Sequence, residues 1–312
     1  MRGLAEKTKE LIAYVRGLLE ENQPMTLRQL HYAIFSRNEI PYENTQASYK
    51  RLSRVTTLAR RAYREWQLNG GGPAPDIGIP PSWMVDETRA PETVSCWDDV
   101  GGYLDTVKEA YRRDNWRAQP SYIEVWSEKA TILGSIRPIT KKWGVTTRVL
   151  HGFGSTGMEN EAGRLFESLD ADEKDITILF LGDHDPSGRV IEQDIHRRVE
   201  AASGARFDLT RLAIHEQDIR RFNLPPQKIK GTDSRAAGFR RAFGDNASTV
   251  ELDALPADEL RRRIDTAVDG LVDHDQWNRD LRVQKVEYNT IADVVGRVNA
   301  AKLTTGETGK ET

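Results

Sequence analysis

The sequence predicts an α/β protein with an all-helical N-terminal part followed by a mainly parallel sheet covered by helices. Three observations carry this. Apolar residues recur at helical spacing through the first 67 residues. From Tyr122 onward, short apolar runs alternate with helical stretches, the pattern of a wound sheet. One of those runs, ITILFLGDHDPSGR, passes from a buried strand straight into an acidic turn.

In the helical part, Leu11, Ile12, Val15, Leu18 and Leu19 mark a helix over 5–21, which Gln23-Pro24 ends. Thr26 caps a second helix, TLRQLHYAIFSR. The turn NEIPYEN leads to a third, TQASYKRLSRVTTLARRAYREW, with Leu52, Val55, Leu58, Ala62 and Trp66 on one face. Arg51, Arg54, Arg61 and Arg64 lie around that face, and Gly- and Pro-rich NGGGPAPDIGIPPSW follows. This pattern suits a winged helix whose third helix, through Arg51 and Arg54, meets a DNA groove. A helical bundle with a solvated basic face fits it too.

A helix around Trp97–Tyr111 and the polar segment RRDNWRAQPS lead into the second part. There the strands YIEVW, TTRVL, ITILFLG and FDLTRLAI are separated by helices running through Lys142, Leu169 and Ala201. Residues 257–272 and 284–301 read as further helices. The division expected is a helical domain over 1–115, a sheet domain with a C-terminal helical extension over 118–302, and a disordered tail over 303–312.

Composition bounds the function classes. At 38% hydrophobic and 30% charged residues, the 312-residue chain is that of a globular protein with a polar surface. No apolar run is long enough to span a bilayer, and MRGLAEKTKE has no secretory core, so an intracellular, cytoplasmic protein is expected. Cys96 stands alone, which excludes an intrachain disulfide and a cysteine-based zinc site. Residues 1–67 hold 12 Lys and Arg against 7 Asp and Glu, an excess of five positive charges. The chain total is -3, so the remainder carries -8, an asymmetry that points to phosphates as partners of the N-terminal part.

The chemistry concentrates at strand ends. Asp183 and Asp185 alternate to one side of an extended chain, a few ångströms apart, where like charges call for a cation. Ser187 is placed to cap a helix starting at Gly188 or Arg189. YIEVW ends in Ser127-Glu128-Lys129, so Glu128 reaches the same sheet edge if the two strands are neighbours. Glu128, Asp183 and Asp185 then make a hard oxygen site for Mg2+, with Mn2+ a possible substitute. Glu124 lies earlier in its strand and is the poorer ligand. The plainer reading of the DHD pair is a helix cap or a partner for an arginine. HGFGSTG, after the second strand, suits close approach of a phosphate to the backbone, but it has neither dinucleotide spacing nor a P-loop ending. No ATP-binding motif appears in the chain.

The order Glu-Lys, a GxG turn, then DxDPxG after successive strands resembles the Toprim domain of topoisomerases, primases and some nucleases, a Rossmann-like parallel sheet. The segment RLAIHEQDIRRFNLPPQKIK is similar to the stretch that follows this core in the A subunit of topoisomerase VI and its meiotic double-strand-break relatives. That family carries its nucleophilic tyrosine in a winged helix, in a motif like TxRDxYY. Here TLRQLHY matches Arg28 to the arginine and Tyr32 to the nucleophile, with Gln29 and His31 departing from the pattern. The resemblance spans most of residues 20–240 and is closest to the stand-alone type called Topo mini-A.

The resemblance implies a Mg2+-dependent, DNA-cleaving transesterase acting on double-stranded DNA as a homodimer. The tyrosine of one subunit would work with the metal site of the other, and a separate ATPase subunit is a possible partner. It assigns catalysis to Tyr32 and Arg28, metal binding to Glu128, Asp183 and Asp185, and DNA contacts to Lys129, His151 and Arg189. Helical geometry adds that Tyr32 lies off the apolar stripe formed by Leu27, Leu30, His31, Ile34 and Phe35, with Arg28 one turn before it. That adjacent guanidinium is expected to favour the phenolate. Two other readings stay open: a Toprim nuclease using water, and a DNA-binding partner subunit without catalysis.

Overall fold

The structure is a computed structural model that describes residues 4–72, 77–85, 94–150, 156–229 and 233–306. In chain order its helices and strands are α1 (Glu6–Asn22), α2 (Leu27–Arg37), α3 (Gln46–Leu68), α4 (Val100–Ala110), β1 (Ser121–Ser127) and α5 (Leu133–Trp143). They continue with β2 (Thr146–Val149), α6 (Thr156–Ala171), β3 (Asp175–Leu181), α7 (Pro186–Ser203) and β4 (Asp208–Ala213). The chain then forms α8 (Glu216–Arg221), α9 (Ala236–Phe243), α10 (Ala257–Asp269) and α11 (His274–Gly306). It divides into two compact units, Met1–Ala90 with Ile123–Gly270, and Pro91–Tyr122 with Leu271–Thr312.

In the first unit the sheet order is β2-β1-β3-β4. The β1–β2 and β3–β4 pairs are parallel. Glu128 N–H, just past β1, donates to Leu181 O at the end of β3 (2.9 Å), so those two central strands also run the same way. β1 and β3 are buried along almost their whole length, as strands covered on both faces must be. The chain moves one way from β1 to β2 and the other way from β2 through β3 to β4. Right-handed crossovers therefore put α5 on one face and α6 with α7 on the other. The packing of α6 on α7, and of α5 on α10, agrees.

The N-terminal helices close their own core with Ile12, Val15 and Leu19 of α1, Leu30 and Ile34 of α2, and Leu52, Val55 and Ala59 of α3. Ala257 of α10 enters the same cluster. The second and third helices start at side-chain caps. Thr26 forms a capping box with Gln29, and Thr45 accepts the Ser48 N–H. Met25 pairs with Met84 in an isolated parallel bridge, and among the described residues no β-hairpin follows α3.

Two links hold the N-terminal helices against the sheet part, one from α2 and one at the end of α1. Gln29 Nε2 donates to Ser135 Oγ of α5 (2.9 Å). Arg261 of α10 donates to the carbonyls of Asn22 (2.9 Å) and Ser135 (3.0 Å).

In the second unit, α4 packs on α11, Trp116 meets Trp277 edge-on, and Arg113 bridges Asp280 and Glu287. Among the described residues no helix is long and apolar enough to cross a membrane.

Candidate active site

The sheet order makes the gap between β1 and β3 the point where the winding reverses. In open α/β sheets the crevice outside the strand ends at that point holds the ligand. Glu128 leaves β1 there and Asp183 leaves β3 there, and the two touch. Asp183 N–H donates to Glu128 Oε2 at 3.0 Å. Beyond β3 the chain stays extended, with His184 exchanging both main-chain hydrogen bonds with Val250 at 2.9 Å.

Asp185 then ends the run as the N-cap of α7, its Oδ1 accepting Gly188 N–H at 2.6 Å. This corrects the expectation for Ser187. The helix begins at Pro186, because proline's fixed φ suits the first helical position and the aspartate before it supplies the cap. Gly188 is needed by the packing. A Cβ there would lie 2.5 Å from Asp183 O and 3.1 Å from Glu128 Oε2.

Burial, then the nearby Asp183 charge, pushes the Glu128 carboxyl up to about 7. Burial also raises Asp183, against the pull of Lys129. Lys129 Nζ is 2.9 Å from Asp183 Oδ2, 3.5 Å from Glu251 Oε2 and 3.6 Å from Asp253 Oδ2. Burial disfavours that ammonium, but the three carboxylates outweigh it and hold it charged beyond the usual lysine range. Asp183 Oδ1 accepts Leu252 N–H at 2.7 Å, which ties the 3-10 turn Leu252–Ala254 to the sheet edge.

That turn packs against α2, the helix of Arg28 and Tyr32. Arg28 Nη1 is ion-paired with Glu251 Oε2. Tyr32 is buried, at 6% exposure. Burial, followed by the Glu251 charge, pushes its phenol up to about 12, and Arg28 opposes this without prevailing. Burial first, and Glu251 second, thus oppose the phenolate that the adjacent guanidinium was expected to favour. The phenol nevertheless feels Glu251, Arg28, Asp253 and Lys129 together, so it belongs to the same electrostatic neighbourhood as the strand-end acids.

The departures at positions 29 and 31 also have physical reasons. Ser135 Oγ spends its hydrogen on Ile132 O (2.7 Å) and so needs a donor at its lone pair, which an amide has and a carboxylate lacks. His31 is buried between Tyr42 and Tyr49. Its Nδ1 is 2.6 Å from Tyr42 Oη and its Nε2 is 3.0 Å from Asn44 Oδ1.

Comparison with known families returns no matching family, and no curated protein matches the chain.

The remaining sequence candidates have other surroundings or lie outside the described residues. Arg189 on α7 pairs with Glu192 (2.9 Å) and lies over Phe243. Arg51 and Arg54 are exposed on α3. His151 and most of the HGFGSTG turn lie outside the described residues. Glu124 is buried against Arg148 (2.7 Å) and Trp126 Nε1 (2.6 Å), a structural pair.

Sequence reasoning missed Glu251 and Asp253. The signal was present in VELD, which repeats the apolar-then-acid alternation of LGDHD. Among the described residues no three His, Cys, Asp or Glu side chains already form a ligating array. The donor set nonetheless suits a hard divalent cation, since it consists of carboxylate oxygens and its negative charge is strong enough to hold Lys129 among them.

Proposed function

We propose that the chain is a Mg2+-dependent, DNA-cleaving transesterase of the topoisomerase VI A-subunit type. One observation carries the reading most. The strand-end carboxylate Asp183 is hydrogen-bonded to the turn on which the Tyr32 helix packs, so acids, phenol and guanidinium of one chain belong to one compact unit, which favours Tyr32 acting with the acids of its own chain over the exchange between subunits that the resemblance implies. Glu128, Asp183 and Asp185 would hold the ion, whose contribution is neutralisation of charge on the phosphate and the leaving oxygen. Tyr32 Oη forms a bond to phosphorus as the bond to the 3′ oxygen breaks. The products are a 5′-phosphotyrosyl link and a 3′ hydroxyl that ends with the phenol's proton. Arg28 exchanges Glu251 for the phosphate and stabilises the developing charge. The N-terminal helices act as a winged-helix-like DNA module, with double-stranded DNA bound across a homodimer.

A second reading has its own support. A phenol this buried and raised to about 12 is a poor nucleophile, which favours water attacking at the same carboxylates. One experiment separates the two. The protein is incubated with Mg2+ and supercoiled plasmid and the products are trapped with detergent. A protein–DNA adduct lost in both Tyr32→Phe and Asp183→Ala supports transesterification. Cleavage that survives Tyr32→Phe but not Asp183→Ala selects hydrolysis, and intact plasmid throughout removes both.

A further inference from the structure

The VELD stretch, absorbed by none of the motifs above, brings two acids into a place prepared for a cation. Asp253 is only 1% exposed, yet neither carboxylate oxygen has a hydrogen-bond partner. A buried carboxylate without donors is costly unless a cation compensates it. The compensating charge is the Lys129 ammonium, 3.6 Å from Asp253 Oδ2 and too far for a hydrogen bond. That ammonium is held closest by Asp183 at 2.9 Å and stands 3.5 Å from Glu251. Three carboxylates from two distant chain segments thus lie within 3.6 Å of one ammonium, and the most buried of them has no hydrogen-bond donor.

We propose that Asp183, Glu251 and Asp253 form a second divalent-cation site, for which Lys129 is the internal stand-in. The site shares Asp183 with the strand-end acids and otherwise rests on residues that the proposed function does not use for metal. Its donors are oxygen only, three carboxylates of which Glu251 is also paired with Arg28, and such a set selects a hard divalent ion such as Mg2+, Mn2+ or Ca2+. A lysine is a flexible, strongly hydrated point charge, and this side chain is 22% exposed, so it has a route to solvent when an ion enters. Entry of the ion then frees Lys129 for a phosphate.

The test counts Mn2+ bound by the full chain without DNA, from the electron paramagnetic resonance of free Mn2+. The variants are Asp253→Asn, Glu251→Gln, Asp185→Asn and Lys129→Met, each checked for fold by circular dichroism. The proposal expects Asp253→Asn and Glu251→Gln to lose or weaken one Mn2+ per chain that Asp185→Asn retains. It also expects Lys129→Met to bind that ion several-fold more tightly, because the competing ammonium is gone. If Asp253→Asn does not fold, the Glu251 and Lys129 variants decide. Unchanged number and affinity in those three variants overturns the proposal. Loss of an ion in Asp185→Asn alone does so while leaving the strand-end site standing, and loss in Asp253→Asn alone does the reverse.

Discussion

Tyr32 is governed by burial more than by its cationic neighbour. A phenol raised from its ordinary value to about 12 binds its proton more tightly folded than unfolded. It therefore contributes stability below about pH 10 that is lost as pH rises through about 12. The alkaline absorbance of wild type minus Tyr32→Phe should show one phenol ionising near that upper value. Ionisation in the ordinary tyrosine range would contradict the burial argument. Gly188 supplies a second residue-scale prediction. Its Cβ would crowd both Asp183 O and Glu128, so Gly188→Ala should cost about 1–3 kcal/mol and weaken Mn2+ binding. Gly238→Ala, with nothing within 4 Å of the added carbon, should do neither. Melting temperature and Mn2+ titration of the two variants check this. The DHDPSG run was readable in the sequence as a strand-to-helix turn, but its cap was assigned to Ser187 where Asp185 supplies it. Gln29 was legible only as a departure, since its partner Ser135 lies 106 residues away.

The elements were readable wherever apolar spacing was strong. The three N-terminal helices and all four strands fall within a few residues of their expected places, because Thr26, Thr45 and the apolar runs mark their limits. Thr26→Ala should remove half of a capping box at a cost of about 1 kcal/mol, measured as a lower denaturation midpoint. Thr26→Ser should restore most of the loss. The short helices α8 and α9, with six and eight residues, escaped because so little chain cannot display a period. α11 begins at His274, well before the expected 284. Its first turns, HDQWNRD, are polar and held by side-chain bonds such as Gln276 to Asp280 (2.8 Å). Alternation of strands and helices revealed a wound sheet, but the order β2-β1-β3-β4 is a property of the crossovers and had to come from the fold.

Across the first unit, long-range charge pairs join segments that no motif connects. Arg263 of α10 binds Asp218 of α8 (2.6 Å) and is positioned by Glu259 one turn earlier on its own helix (2.8 Å). Arg262 first and Arg263 next hold Glu259 down to about 2, and Asp218 is also lowered, by the Arg263 hydrogen bond against the cost of burial. Depressed carboxylates stabilise the fold above their ordinary range and lose that contribution as pH falls. Urea midpoints of wild type and Glu259→Gln should therefore differ by a constant amount above about pH 5 and converge toward pH 2. A gap that persists in strong acid would contradict the assignment.

The same scale explains why the alternation in VELD could not be tied to the strand-end acids from the sequence. Glu251 and Asp253 stand far along the chain from the DHD run, and only the fold brings Leu252 N–H to Asp183. The central claim, that Tyr32 and the strand-end acids act together on DNA, is met most directly by mass spectrometry of the tryptic peptide bearing Tyr32 after Mg2+-dependent cleavage. Nucleotide attached to Tyr32 is the expected result. Cleaved DNA with free 5′ phosphates and an unmodified Tyr32 peptide would contradict it.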